Sequence, residues 1–417
     1  MKILMVNKFL YPRGGSESYM LKLGSYFEKM GHQVEYFGMY DEKNTVGNSL
    51  RLYTENLDFH SNSAKRFLYP FKIIYSREAS VKIGKILDSF KPDVVHMNNI
   101  NFQLTPSIIY AVKKRGIALV QTVHDYQMIC PNHLFYSFQE NKPCERCTRG
   151  SLLNCVKHKC IHGSRVKSIL GALEAKLYSL LKTYRLVDLY ICPSKFLEKK
   201  LTSASDIYKD KTFVLHNFIE KKNIEKKQDN SKPYIFFAGR LSAEKGVKLL
   251  AETAKLLPHI DFVVAGSGPD EDKLCGIPNV KLTGFLNGSE LTEKMANAAA
   301  LIAPSVCYEN CPLSILEAHS MGVPAITMNS GGMAELVEDG VTGALIESPC
   351  PKDVARATEK TLENEYYQKV LEGCRKRKES IMGVEEYGSK ILSVYMDIIN
   401  GSEHNAKDLR EHNYSGV

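Results

Sequence analysis

The chain has 417 residues, too many for one ordinary core, and its 44% hydrophobic and 24% charged residues are usual for a globular protein, so two domains are expected. Residues 1–200 carry 30 Lys and Arg against 16 Asp and Glu (+14), whereas residues 201–417 carry 25 against 31 (−6). No apolar run reaches the roughly 18 residues that cross a bilayer, and the basic first half is typical either of a solvated surface or of a site for an anionic membrane, a phosphorylated acceptor or nucleic acid.

Short β-branched runs alternate with amphipathic stretches in the first half, which predicts a parallel sheet with helical crossovers. The first run, KILMVN, has no cleavage-like site behind it, so we interpret it as a strand rather than a secretion signal and expect a cytoplasmic protein. The predicted strands are 2–7, 32–38, 93–97, 117–124 and 186–192, and the predicted helices are 16–30, 78–90, 105–115 and 164–184.

Two strand ends of the first half carry candidate functional residues. Gly14 and Gly15 follow the first strand and lead into Ser16, a predicted helix N-cap. His124 ends the strand IALVQTVH, where a lone histidine is more often a structural hydrogen-bonding residue than a functional one.

A cysteine-rich insertion spans about residues 130–162. Because the chain shows no export signal, its eleven cysteines are expected as reduced, metal-bound or catalytic thiols. Cys144 and Cys147 form a C-x2-C pair, and Cys155 and Cys160 follow. This set predicts a structural zinc site with tetrahedral ligands, with free thiols as an equal alternative and an iron–sulfur site as a distant third.

The helix predicted at 164–184 combines apolar positions at helical spacing with several lysines and arginines. The favoured interpretation is a buried helix with a basic outer face. Peripheral contact with an anionic membrane is the alternative, and it would suit a lipid-linked acceptor.

A polar, charged segment at 220–232 predicts a linker, after which strands and helices alternate again. The chain therefore reads as two doubly wound domains, at 1–219 and 233–383, followed by a helix at 384–400 and a loose tail at 401–417.

Polar residues after the second-half strands are the ones to inspect, because ligands of doubly wound folds sit at the carboxyl ends of strands. Arg240 and Lys245 follow the strand YIFFAGR and could meet the oxygens of a diphosphate, although such a pair is more often plain surface charge. Gly266 and Gly268 follow DFVVAG and allow either a close ligand or a tight turn.

The segment CYENCPLSILEAHSMGVPAI predicts a helix at about 312–321, with Pro312 at its first position and Gly322 just past its end. The first amides, those of Leu313 and Ser314, lie at a positive dipole end that suits a phosphate. Glu309 and Glu317 would then lie on either side of this anion site, as acceptors for hydroxyl groups.

The motifs GRLSAEKG, GSGP, TGFL, ENCPLSILEAHSMGVPAI and SGGMAELVEDGVTG resemble, in this order, those of retaining glycosyltransferases of family 4, and Glu309 to Glu317 resembles their E-x7-E signature. The first half is similar through GGSE, KPDVVHMNN and TVHDY. The resemblance implies an α/β GT-B fold, in which two Rossmann-like domains face each other across a cleft and the last helix returns to the first domain.

The resemblance also implies residue roles. Arg240 and Lys245 would stabilise the diphosphate, Glu309 would contact the donor sugar, and Glu317 would bind the ribose. Backbone groups at Phe285 and Leu286 would meet the base. The remaining implied contacts to the donor are those of Gly14, Gly15, Gly266, Leu313, Ser314 and His124.

The implied reaction is metal-independent transfer of a hexose, with retention, from a UDP- or GDP-sugar to a glycan or lipid-linked hydroxyl acceptor. It would serve cell-surface polysaccharide or glycolipid synthesis, at the inner face of the cell membrane, and no nucleic acid partner is expected. A UDP-sugar epimerase on the same fold and a zinc-containing nucleic-acid-binding module are the alternatives.

Overall fold

The computed structural model describes residues 1–56, 69–148, 150–221 and 232–401. Most of the predicted linker and nearly all of the predicted tail lie outside these residues. The strands are β1 (Lys2–Val6), β2 (Gln33–Phe37), β3 (Val94–Met97), β4 (Ala118–Thr122), β5 (Tyr136–Ser137), β6 (Lys142–Pro143), β7 (Leu189–Cys192), β8 (Thr212–Val214), β9 (Tyr234–Ala238), β10 (Asp261–Ala265), β11 (Val280–Gly284), β12 (Ala300–Ala303), β13 (Ala325–Met328) and β14 (Gly343–Ile346). The helices are α1 (Gly15–Lys29), α2 (Tyr69–Ile74), α3 (Arg77–Phe90), α4 (Ser107–Lys113), α5 (Leu153–Lys157), α6 (Arg165–Leu180), α7 (Lys195–Ala204), α8 (Val247–Leu256), α9 (Gly288–Ala296), α10 (Leu313–Ser320), α11 (Met333–Leu336), α12 (Pro351–Leu362), α13 (Asn364–Ser380) and α14 (Val384–Ile399).

The chain forms two compact units. Unit 1 comprises Met1–Phe135, Glu145–Asn217 and the residues from Val384. Its six parallel strands have the order β2-β1-β3-β4-β7-β8. Strands β3 and β7 are buried along their full length, as expected of strands covered on both faces. Strand β8 is not predicted from the sequence, because three residues are too few to show a pattern.

Unit 2 comprises Tyr136–Cys144 and Phe218–Gly383. Its six-stranded parallel sheet has the order β11-β10-β9-β12-β13-β14, and β5 and β6 form a separate antiparallel hairpin. The two doubly wound parallel sheets predicted from the sequence are therefore confirmed.

The cysteine-rich insertion is divided between the two units, whereas the sequence predicts that all of it belongs to the first domain. The hairpin segment Tyr136–Cys144 belongs to unit 2. Tyr136 is buried there, and burial together with the nearby Cys307 and Glu244 raises the pKa of its hydroxyl. The assignment of this hairpin to unit 2 is a feature of the tertiary structure, which local sequence does not reveal.

Helix α14 corresponds to the helix predicted at 384–400, and it belongs to unit 1. Two buried tyrosines attach it. The hydroxyl of Tyr387 lies 2.9 Å from that of Tyr19, and the hydroxyl of Tyr395 lies 2.5 Å from Nδ1 of His96. These hydrogen bonds satisfy polar groups that would otherwise be costly to bury.

Helix α6 corresponds to the helix predicted at 164–184, but the favoured interpretation of a buried helix with a basic outer face is wrong. Val166, Leu173 and Leu180 are each more than half exposed. The close approach of Gly171 to Ile161 gives the reason, because it turns the small-residue side of α6 towards the body of unit 1.

Candidate active site

The strand order of unit 2 reverses direction between β9 and β12, and ligands of doubly wound sheets bind at the carboxyl ends of the strands at such a point. Lys245 follows β9 in a short helical turn, and Glu309 follows β12 in a loop. Lys245 lies before the next helix, because α8 begins only at Val247. Gly246 separates the two, with φ 75° and a Cβ position only 2.0 Å from the carbonyl oxygen of Pro304.

Lys245 and Glu309 form an ion pair at this point. Nζ of Lys245 lies 2.5 Å from Oε1 of Glu309, and the hydroxyl of Ser305 donates to the same oxygen at 3.0 Å. The two charged side chains are only 32% and 16% exposed. Ser305 was not identified from the sequence, although its position directly after a strand end is a signal that could have found it.

The pKa values of this pair show why both groups stay charged. Burial opposes ionisation of Glu309, but the charge and hydrogen bond of Lys245 outweigh it, so the pKa of Glu309 is lowered. Burial likewise opposes the charge of Lys245, but Glu309 outweighs it and the pKa of Lys245 is raised. The structure therefore holds a carboxylate and an ammonium group in a partly desolvated position, where their charges act strongly on a ligand.

The loop that carries Glu309 is held by the glycines of the motif NSGGMAEL. The backbone N–H of Gly332 donates to the carbonyl oxygen of Glu309 at 2.7 Å. A Cβ at Gly331 would lie 2.6 Å from that oxygen, and its φ of 63° is left-handed. Glycine at 331 is thus required both by space and by conformation.

Helix α10 begins one residue later than predicted. Pro312 is its N-cap, with φ −65° and ψ 121°, because the extended ψ excludes Pro312 from the first turn. The N–H groups of Leu313 and Ser314 have no acceptor within an α-helix and lie at its positive end. Glu317 lies on the second turn, half-buried, and Gly322 follows the helix end with φ 71°.

Gly266 and Gly268 bring two loops of unit 2 together. A Cβ at Gly266 would lie 1.8 Å from the carbonyl oxygen of Gly239, and one at Gly268 would lie 2.2 Å from that of Leu241. Both glycines therefore serve backbone packing between the loops after β9 and β10. Contact of Gly266 with a donor stays a prediction.

Three further predicted residues lie at strand ends of unit 2. Arg240 is exposed just after β9, and Phe285 is 73% exposed just after β11. Leu286 is half-buried and packs against the core of unit 2. Contact of the backbone at Phe285 and Leu286 with a base stays a prediction.

Gly14 and Gly15 lie at the start of α1 in unit 1. The sequence predicts Ser16 as the N-cap, but Gly14 takes this position and Ser16 is already helical. The hydroxyl of Ser16 instead accepts a hydrogen bond from the amide of Asn99 at 3.0 Å. A Cβ at Gly14 would lie 3.2 Å from a carboxylate oxygen of Glu17, so the first turn of α1 is tightly packed.

His124 lies two residues after β4. Its Nε2 lies 2.9 Å from Oδ1 of Asn98, and its ring meets that of Tyr19 edge to face at 4.9 Å between centroids. Burial lowers the pKa of His124 to about 3, so the imidazole is neutral at physiological pH. Asn98 also follows a strand end, and the sequence analysis did not single it out.

Three of the four predicted zinc ligands lie near one another, because a hydrogen bond with Cys160, burial and the nearby Cys147 raise the pKa of the Cys155 thiol. Among the described residues, no group of three or more His, Cys, Asp or Glu side chains is placed to hold a metal ion. All eleven cysteines are described, and none forms a disulfide. Occupancy by zinc stays a prediction, which metal analysis of the purified protein and of its Cys144→Ser variant tests.

Comparison with known families assigns both halves of the chain. The model of Glycosyltransferase Family 4 matches residues 13–222, about half of the chain, and that of Glycosyl transferases group 1 matches residues 218–379. The chain belongs to glycosyltransferase family 4. The family predicted from the sequence motifs is confirmed, and none of these matches supports an epimerase or a nucleic-acid-binding module.

Individual relatives of this glycosyltransferase are distant. Alpha-D-kanosaminyltransferase of Streptomyces kanamyceticus is 28% identical over 181 residues, which cover 40% of this chain and 47% of that protein. The match therefore spans about half the length of that relative.

Two solved structures show the fold. Sucrose-phosphate synthase from Thermosynechococcus elongatus aligns with a TM-score of 0.70 at 15% identity, over 96% of this chain and all of that one. HepE of Anabaena, in complex with UDP and glucose, aligns with a TM-score of 0.66 at 16% identity, over 95% of this chain and all of that one. The GT-B fold predicted for this glycosyltransferase is confirmed.

Proposed function

We propose that this glycosyltransferase moves a hexose from a UDP- or GDP-sugar to a hydroxyl acceptor, with retention of the anomeric configuration. The observation that carries the proposal is the partly buried pair of Lys245 and Glu309 at the switch point of the unit 2 sheet. A nucleotide sugar needs both members: a cation for the diphosphate and a carboxylate for sugar hydroxyls. HepE, which has the same fold, is described in complex with UDP and glucose.

The charges support a definite reaction. Breaking the bond between the anomeric carbon and the phosphate oxygen leaves negative charge on the nucleoside diphosphate. Lys245, Arg240 and the first amides of α10 stabilise this charge without a metal ion. The acceptor oxygen attacks the same face of the sugar, and its proton passes to the departing phosphate oxygen.

The other predicted residues bind and orient. Glu309 accepts a hydrogen bond from a sugar hydroxyl, Glu317 binds the ribose, and the backbone at Phe285 and Leu286 meets the base. In unit 1, we assign Gly14, Gly15 and His124 to binding of the sugar and the acceptor. Because His124 is neutral, it acts as a hydrogen-bonding partner of a hydroxyl and not as a cation.

The acceptor class is a glycan or a lipid-linked glycan, and the proposed setting is polysaccharide or glycolipid synthesis at the cytoplasmic face of the cell membrane. The basic first half of the chain supports this setting, because it complements phosphorylated lipids and anionic headgroups. Among the described residues, no helix is long and apolar enough to cross a membrane.

A binding and hydrolysis screen across UDP- and GDP-sugars tests the proposal. We expect one nucleotide sugar to bind and to be slowly hydrolysed, with loss of hydrolysis in Glu309→Gln and Lys245→Met. Hydrolysis or transfer should persist with a chelator present, and NMR of the first product should show the anomeric configuration of the donor. Failure of every nucleotide sugar to bind would refute the proposed donor, and a product of inverted configuration would refute retention.

A further inference from the structure

Helix α6 presents an apolar face to solvent. We call this surface the α6 face. It consists of Val166, Ile169, Leu173 and Leu180, which recur at helical spacing on one side of the helix and are 43–67% exposed. Leu153 on the adjacent helix α5 is 70% exposed. Such a row of large aliphatic side chains is unusual on a helix of a globular protein, whose apolar stripe ordinarily faces the core.

The opposite side of α6 packs against unit 1. Gly171 approaches Ile161 closely there, since a Cβ added at Gly171 would lie 2.4 Å from Cδ1 of Ile161. The hydroxyl of Tyr178 donates to the carbonyl oxygen of Ile74 at 2.7 Å, and that of Ser168 accepts from the N–H of Ile161 at 3.1 Å. The small and polar residues of α6 are thus the ones that pack.

The segment of sequence that contains the α6 face is strongly basic. Residues 150–187 contain seven Lys and Arg and a single acidic residue, Glu174. Glu174 is buried, and burial raises the pKa of its carboxyl to about 8, so it adds no negative charge near neutral pH. Arg165 and Lys176 are exposed on α6, and Lys182 and Arg185 are exposed just beyond its end.

We propose that the α6 face docks on an anionic lipid bilayer, with α6 lying in the plane of the interface. Aliphatic side chains flanked by cations are what such a surface binds, through the acyl boundary and the headgroup phosphates respectively. A second copy of the chain fits less well, because a two-fold contact sets the same cations against one another. Docking deepens the proposed function, since it would bring the enzyme to a lipid-linked acceptor, but it does not depend on the donor.

Vesicle flotation with the full-length protein tests the docking. The protein should float with vesicles of phosphatidylcholine containing about 30% phosphatidylglycerol and not with phosphatidylcholine alone. Raising the salt from about 0.1 M to about 0.5 M should weaken binding several-fold. The double variant Leu173→Gln/Leu180→Gln should lose about tenfold or more in affinity.

Matched controls separate docking from general damage. Leu256→Gln changes a residue of α8 in unit 2 that is 48% exposed, and it should float like the wild type. Arg165→Gln/Lys176→Gln should weaken binding and reduce its salt dependence, whereas Lys376→Gln on α13 should not. These α6, α8 and α13 variants should keep the wild-type circular dichroism spectrum and melting temperature.

Three outcomes would overturn the docking: no flotation of the wild type, equal flotation with neutral vesicles, or full binding by the Leu173→Gln/Leu180→Gln variant. If the wild type is a dimer and this variant is a monomer, the α6 face instead binds a second copy of the chain. The donor site is judged separately. Lys245→Met should still float, and Leu173→Gln/Leu180→Gln should still hydrolyse the donor.

Discussion

Replacing Lys245 by methionine removes one charge from the partly buried pair and leaves the other. A buried charge that loses its only partner costs about 3–5 kcal/mol. Glu309 keeps the hydrogen bond from Ser305, worth about 1.5 kcal/mol for a charged acceptor. We therefore expect Lys245→Met to lower the free energy of unfolding by about 1.5–3.5 kcal/mol.

Replacing Glu309 by glutamine should lower the free energy of unfolding less than Lys245→Met does. In Glu309→Gln the remaining charge is on Lys245, which is twice as exposed as Glu309 (32% against 16%) and can reach water. The double variant Lys245→Met/Glu309→Gln should be more stable than Lys245→Met alone, because no charge is left unpaired.

The destabilisation by Lys245→Met should depend on pH in a definite direction. Without Lys245, burial raises the pKa of Glu309 above its value in the unfolded chain, so the folded state binds the proton more tightly. The difference in unfolding free energy between the wild type and Lys245→Met is then largest at about pH 8. It becomes smaller towards about pH 5, because protonation of Glu309 removes the buried charge. Urea unfolding followed by circular dichroism measures it, with Lys248→Met on the exposed side of α8 as the control.

Activity gives a second readout. Loss of one preorganised charged contact lowers turnover by about 100-fold or more, and we expect this for the cation in Lys245→Met and for the carboxylate acceptor in Glu309→Gln. Near-wild-type turnover in either variant would refute the site. A stability deficit that does not change with pH, or a larger deficit in Glu309→Gln than in Lys245→Met, would refute the electrostatic reasoning.

Three further predictions concern other parts of the chain. Gly331→Ala should lower the free energy of unfolding by about 2 kcal/mol or more and reduce transfer, because it combines a left-handed φ with a clash against Glu309. Gly322→Ala, which has no atom within 4 Å of the added Cβ, should lower it by only about 1 kcal/mol. Thermal unfolding compares the two variants. Tyr387→Phe should lower stability by about 1 kcal/mol through loss of the bond to Tyr19, and the exposed Tyr40→Phe should be neutral; equal melting temperatures would contradict the attachment of α14. Burial lowers the pKa of His96 to about 3 and that of His319 to about 4. The free energy of unfolding is therefore highest above the unfolded pKa near 6.5 and falls at lower pH, by about 2 kcal/mol per histidine at about pH 5. In urea titrations, His96→Gln and His319→Gln should show a weaker dependence of the unfolding free energy on pH.

The sequence by itself determined the two doubly wound sheets, because buried parallel strands leave continuous β-branched runs such as KILMV and because the turn residues Pro312 and Gly322 act locally. It also identified Lys245 and Glu309 as candidates, since each lies in the segment between a strand and the next helix. Functional residues near strand ends can be predicted from sequence when the sheet is parallel, because ligands bind at the carboxyl ends of its strands.

Tertiary structure alone decided the remaining features. Asn98 joins His124 through a contact that no local pattern encodes, and the hairpin segment Tyr136–Cys144 belongs to unit 2 although its neighbours in sequence belong to unit 1. The same holds for α6: its apolar period predicts a helix, but the period does not say which side faces the protein. The tight contact at Gly171 decides that, and it leaves the apolar side in water.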